Sequence, residues 1–247
     1  MKMKQSFRDF YEKEAKHARR YDSASFWELR YHRKRKGFIV AILESLLRIG
    51  TFLDVGCGTG EYLLEVSKFC DDPIGLDVSS TYLKRIKRMN KDLSLIQADA
   101  QALPLKDKCV EYVLCSETIE HLQNPEIAIQ EISRVAQRGF LISTPNYGIL
   151  RVAMTKISQS FVLKLDESVG HVNILPLFRL REKILKSKCK IKLEKTLHVL
   201  PPIIAEKLYL PQKLSSLLDI CELILDKFLP KLGNISLMEC EFLRNST

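Results

Sequence analysis

"FLDVGCGTG", Phe52 to Gly60, sets three glycines at alternate positions directly behind a short apolar run. Glycine permits positive φ and lets a ligand approach the main chain closely. The run "TFLDV" (51–55) reads as a buried strand, and "EYLLEVSKFC" (61–70) as a helix starting straight after the last glycine. The stretch is therefore a strand-to-helix turn. In an open α/β sheet ligands sit at such turns, outside the carboxyl ends of the strands where the strand order reverses. Taken alone, Gly-x-Gly-x-Gly is also a tight turn with nothing bound, so its surroundings decide.

Outward from the turn, strands and helices alternate. "PIGLDV" (73–78), "LSLIQAD" (93–99), "VEYVLCS" (110–116) and "GFLIST" (139–144) read as further strands. "STYLKRIKRMN" (80–90) and "PEIAIQEISRVA" (125–136) read as helices, the second with proline in its first turn. Strands joined by helical segments of this length mean βαβ units in a doubly wound, mostly parallel α/β sheet. Upstream, "FIVAILESLLRI" (38–49) has helical apolar spacing and stops at Gly50. Downstream of Tyr147 the pattern weakens. There "FRLREKILKSKC" (178–189) reads as a helix, "KIKLEKTLHVL" (190–200) as a strand and "NISLMECEFL" (234–243) as the last strand. "LSSLLDICELILDKFL" (214–229) is an amphipathic helix, read first as packing on the core, with a dimer contact or a membrane surface as alternatives. The expected organisation is a basic helical extension or lid over 1–37, then one domain over 38–247 with an insertion at about 146–175.

The composition is that of a globular protein able to bury a full core, with 46% hydrophobic and 28% charged residues. No apolar run is long enough to span a membrane, and the N-terminus has no apolar signal segment. Seven cysteines, an odd number without any Cys-x-x-Cys pair, point to reduced thiols and a cytoplasmic location. Charge is uneven: residues 1–36 hold twelve Lys/Arg against five Asp/Glu, +7 of the chain's net +9. Such a flank is a solvated helical face or an attraction to phosphates, on nucleic acid or anionic lipid.

Three features beside the turn select a ligand. Asp77 ends the second strand, where a carboxylate can accept hydrogen bonds from both hydroxyls of a ribose. Asp99 ends the third, in reach of an adenine amino group. Glu61 stands where a dinucleotide fold has its third glycine, and with Asp54 it would repel a pyrophosphate. A ligand with a ribose, an adenine and a positive end fits better.

"FLDVGCGTG", "GLDVS", "ADAQALPL" and "EHLQNPEIAIQEISRV" resemble the successive motifs of the class I S-adenosylmethionine-dependent methyltransferases, over roughly residues 45–146. The resemblance implies the Rossmann-like fold of that family, a seven-stranded sheet, and S-adenosyl-L-methionine as cofactor. It implies that Gly56, Gly58 and Gly60 pass under the methionine and ribose portions, that Asp77 binds the ribose, and that Asp99 with Ala100 meets the adenine. Ser116 would lie near the sulfonium, and Asp54 would position the loop or reach the cofactor ammonium through water.

The acceptor is less legible. "CSET" (115–118) stands where amino-group methyltransferases acting on adenine or glutamine carry Asn/Asp-Pro-Pro-Tyr, which argues against those substrates. "EHLQNP", "EISRV", "LISTPN" and "GHVNIL" as a set resemble the small-molecule methyltransferases of the ubiquinone-biosynthesis type, many acting on hydroxyls. That implies a small-molecule or lipid-linked acceptor, with His121 either the base or a loop-fixing residue. Glu117, Glu120 and His121, with His171 after Thr144-Pro145-Asn146, also resemble the divalent-metal set of small-RNA 2′-O-methyltransferases. An RNA enzyme and a cofactor-binding protein without catalysis remain the alternatives. Tyr21, Trp27 and Tyr31 on the basic flank suit a lid over the acceptor, or stacking on bases. Nothing in the sequence fixes the oligomeric state.

Overall fold

The computed structural model describes residues 2–17, 25–46, 48–146, 172–173, 175–187, 189–197, 205–206, 208–229, 233 and 235–242. In chain order these form α1 (Lys2–His17), α2 (Phe26–Ser45), β1 (Ile49–Val55), α3 (Glu61–Val66), β2 (Cys70–Asp77), α4 (Ser80–Met89), β3 (Ser94–Gln97) and β4 (Val110–Ser116). A 3-10 turn (Ile119–His121), α5 (Pro125–Val135), β5 (Ala136–Pro145), α6 (Leu177–Leu185), β6 (Lys190–Leu197), α7 (Ser215–Phe228) and β7 (Ile235–Glu241) follow. Most of the expected insertion at 146–175, with His171, lies outside the described residues, as does Tyr21.

The seven strands form one sheet in the order β3-β2-β1-β4-β5-β7-β6. The first five pair in parallel, and β7 runs antiparallel between β5 and β6. The order reverses between β1 and β4, which opens a crevice at their carboxyl ends, directly beside the glycine turn. Successive residues of the central strands alternate between two cores. Phe52, Tyr112, Leu114 and Leu141 pack with Ile39 and Leu43 of α2 and Leu63 of α3. Leu53, Val113, Cys115 and Phe140 pack with Ile129 and Ile132 of α5 and Leu180 and Ile184 of α6. The near-continuous apolar reading of these strands follows from burial on both faces.

Two elements depart from the sequence reading. α2 is one helix of 20 residues that runs unbroken through residue 37 and joins the basic flank to the apolar segment behind it. Ser25 caps it, its hydroxyl accepting the Glu28 N–H at 3.1 Å. α7 is amphipathic as read, but it is turned over. Its inner stripe is polar, with Glu222 only 5% exposed, and Leu217, Ile220, Ile224 and Phe228 face solvent. Its acids face α2: Arg30 donates to Asp219 at 2.5 Å and to Glu222 at 2.7 Å, and Lys34 also pairs with both.

Candidate functional site

The glycine turn hangs from the second strand. The Gly56 and Cys57 N–H groups both donate to the Leu76 carbonyl, at 2.7 and 3.0 Å. Gly56 has φ +74°, and a Cβ there would lie 2.3 Å from the Thr118 hydroxyl, so both conformation and space demand glycine. Gly58 differs. Its φ is +50°, yet a Cβ on it would meet no atom within 4 Å. The space in front of Gly58 is open, and a side chain would fill it. Gly60, at φ +81°, packs against Ile86.

Asp77 ties this cradle to β2. Its Oδ2 accepts the Gly58 N–H at 2.8 Å and its Oδ1 the Ser79 N–H at 2.8 Å, which leaves further lone pairs on each oxygen for ligand hydroxyls. Burial raises the Asp77 pKa, opposed by those two N–H donors. Asp54, fully buried beneath the turn, is pushed up to about 8 by burial and by the charge of Asp77, although the Leu63 N–H bonds it. Its Oδ2 has no hydrogen-bond partner among the described residues. Beyond β2, the Ala98 N–H donates to the Asp77 carbonyl at 3.1 Å, which brings Asp99 to the same edge. Asp99 Oδ1 accepts the Gln101 N–H at 2.9 Å, and Ala100 is buried.

Across the crevice, Ser116 shares a 2.8 Å hydrogen bond with Ser143, and Tyr62 bonds Ser116. Glu117 follows with φ +50°, an uncommon conformation for a glutamate that often marks functional sites. An arginine that the sequence reading passed over meets it. Arg35 of α2 lies 3.0 Å from Glu117 Oε2 and donates to the Tyr62 hydroxyl at 3.2 Å. Arg35 is buried, yet these partners hold its pKa well up against the burial. Only its place in the run "HRKRK" marked it, and nothing there distinguishes Arg35 from its neighbours.

Three residues past Glu117, Glu120 is fully buried. Thr144 donates to its Oε2 at 3.2 Å, and its Oε1 lies 3.9 Å from His121 Nε2. Burial, then the neighbouring Glu117 charge, drive the Glu120 pKa well up. No three His, Cys, Asp or Glu side chains gather as a ligand set among the described residues. α1 bridges the two halves. Glu12 accepts the Ser80 N–H at 2.6 Å and the Thr81 hydroxyl at 2.7 Å, capping α4, and the Tyr11 ring meets His121 edge-on at 5.6 Å. Against the upward pull of burial, the Thr81 and Ser80 bonds hold Glu12 down at about 2. Trp27 is buried and donates to the Leu210 carbonyl at 3.2 Å, so it serves packing between segments and not closure over the site.

A sheet of this order, a positive-φ glycine cradle, an acidic residue ending β2 and another two residues past β3 (which stops at Gln97, short of the expected Asp99) define a class I methyltransferase fold. Residues 53–143 match the family model of the methyltransferase domain, which together with the fold supports a class I S-adenosylmethionine-dependent methyltransferase. It is similar to demethylmenaquinone methyltransferase of Staphylococcus carnosus, 34% identical over 93 residues, 35% of this chain and 39% of that one. It is also similar to malonyl-[acyl-carrier protein] O-methyltransferase of Hamiltonella defensa, 26% identical over 142 residues, 57% of this chain and 53% of that one. The chain thus spans about two fifths to half the length of the curated relatives it matches. In fold it is similar to magnesium protoporphyrin IX methyltransferase from Synechocystis PCC 6803, solved with bound SAH. The TM-score is 0.67 at 13% identity, over 97% of this chain and all of that one.

Proposed function

We propose that this protein transfers a methyl group from S-adenosylmethionine to a hydroxyl of a small-molecule or lipid-linked acceptor. The observation that carries the reading is the open space at Gly58, whose N–H is held by the same Asp77 carboxylate that remains free to accept ribose hydroxyls. The residues fit the cofactor. Gly58 leaves its path clear while Gly56 and Gly60 hold the turn in place, Asp77 takes the ribose, and Asp99 with Ala100 borders the adenine. Ser116 lies toward the reacting end. Asp54 carries an unpartnered buried oxygen under the turn, suited to a cationic group directly or through water. The relatives named for demethylmenaquinone support a small or lipid-linked acceptor.

When bound, S-adenosylmethionine supplies a methyl group already activated on a sulfonium, so no acid is needed for the leaving group. The protein then has to align acceptor and methyl, and such positioning is worth about 7–11 kcal/mol of barrier. His121, its side chain 17% exposed beside Glu120, would take the hydroxyl proton as the acceptor oxygen bonds the methyl carbon and the carbon–sulfur electron pair leaves with sulfur. A proton on His121 lies close to the Glu120 carboxyl, and that positive charge favours ionisation of the buried acid. The Arg35 ion pair occupies Glu117, one of the two carboxylates a divalent cation would use. Calorimetric titration with S-adenosylmethionine and S-adenosylhomocysteine tests the reading, followed by turnover on a panel of hydroxyl acceptors with EDTA or with Mg²⁺. Micromolar binding and EDTA-resistant turnover are expected, and absence of binding to both compounds refutes the reading.

A further inference from the structure

α7 is an inverted amphipathic helix. Residues 215, 218, 219, 222 and 226 form its inner side, and its three acids, Asp219, Glu222 and Asp226, all lie there. The outer side carries Leu217, Ile220, Leu223, Ile224 and Phe228, each 50–69% exposed. The ion pairs from Arg30 and Lys34 fix this orientation, so the apolar face is the one the fold presents. Tyr209 stands 91% exposed at φ +50°, next to an exposed Leu208, shortly before the helix. Lys213 and Lys227 are exposed toward the two ends of the face.

We infer that α7 is a docking helix for an anionic lipid surface. A helix with an apolar face, flanking lysines and aromatic residues lies in the plane of a membrane interface, its apolar side at the headgroup–acyl boundary. Charge agrees: the chain carries +9, the outer side of α7 carries no acid, and anionic leaflets attract cationic segments. A second copy is the poorer occupant. A 14-residue helix is about 21 Å long and about 10 Å wide, so its face covers on the order of 200 Å². A stable complex needs about 800 Å² from each partner, and two copies at +9 repel. Among the described residues no helix is long and apolar enough to cross a membrane, so this contact is peripheral.

The test is flotation of the full chain with vesicles of equal parts phosphatidylglycerol and phosphatidylcholine, and with phosphatidylcholine alone. Light scattering of the free protein runs alongside. The protein floats with the anionic vesicles, remains behind with phosphatidylcholine alone, and is released by salt as charges are screened. The double variant Ile220→Asp, Ile224→Asp lowers the partition coefficient by about tenfold or more, because both the apolar contact and the local charge are altered. Both sites are exposed, so its melting temperature stays near the parent's. The milder Ile220→Ser, Ile224→Ser pair, which adds no charge, weakens partition by less. No flotation, equal flotation on both vesicle types, or a dimer in free solution that the double variant dissociates would each overturn the inference.

Discussion

Asp54 gives the sharpest test of the electrostatics beneath the glycine turn. An unfolded aspartate ionises near 3.8, whereas burial and the Asp77 charge hold folded Asp54 near 8. Below 3.8 both states carry the proton. Between the two values the unfolded chain releases a proton that the folded chain keeps, so this contribution to stability falls with rising pH and levels off above about 8. One proton corresponds to about 1.4 kcal/mol per pH unit, hence about 2.7 kcal/mol between pH 5 and pH 7. Asp54→Asn replaces the protonated carboxyl with a neutral group of the same shape. Below about pH 3.8 the variant should match the parent; between pH 5 and pH 7 its advantage over the parent should grow by about 2–3 kcal/mol, which for a chain this long is roughly 5–10 °C in Tm. Urea unfolding of both proteins, ligand-free, at half-unit pH steps is the assay. Asp77 and Glu120 also have raised pKa values, but they are present in both proteins and largely cancel in the difference. Parallel pH curves for parent and variant would show that Asp54 is ionised in the folded protein, and the account of its burial would fall.

Asp77→Ala should weaken S-adenosylhomocysteine binding by at least about tenfold, since hydrogen bonds to a charged acceptor contribute roughly 1.5–3 kcal/mol each. Unchanged affinity by calorimetry in a folded variant would remove Asp77 from the site. His121→Ala should lower kcat by about 10²–10⁴ while S-adenosylhomocysteine affinity holds within a factor of about two. Equal activity would return His121 to a loop-fixing role. Glu12→Ala removes the cap that α1 places on α4, worth about 1 kcal/mol. Faster amide hydrogen exchange across α1 is expected with little change in global melting, and unaltered exchange would mean that other contacts hold α1.

The central sheet was legible because its strands are buried on both faces and read as apolar runs, with glycine or an acidic residue at their carboxyl ends. β1, β2 and β4 stand within a few residues of their sequence positions, and Gly56, Asp77 and Asp99 meet at one edge because strand order alone puts them there. The last strand of the sequence lies inside the sheet, between β5 and β6, an arrangement fixed by pairing and not by local pattern. Arg35 and Glu117 stand 82 positions apart in sequence. Neither composition nor periodicity joins them, since a buried arginine and an exposed one have the same local surroundings in a sequence. Periodicity also shows that α7 has two faces without showing which one turns inward.

The basic flank and the inverted helix have one explanation. α2 uses its cations inside the molecule: Arg35 on Glu117, Lys36 on Glu65 at 2.9 Å, and Arg30 and Lys34 on Asp219 and Glu222. A run that reads locally as a solvated face therefore finds partners up to 192 positions away. Buried pairs of this kind add little net stability, because desolvation offsets most of the attraction, but leaving one partner unpaired is expensive. Their effect is on orientation. With the α2 cations facing α7, the carboxylates of α7 have to turn inward, and helical geometry then turns its leucines and isoleucines outward. The same helix that brings a cation to the glycine turn thus sets the apolar face of α7. The inferred lipid-docking face and the proposed cofactor crevice would then both be positioned through α2, an arrangement suited to an acceptor that resides in or near a membrane.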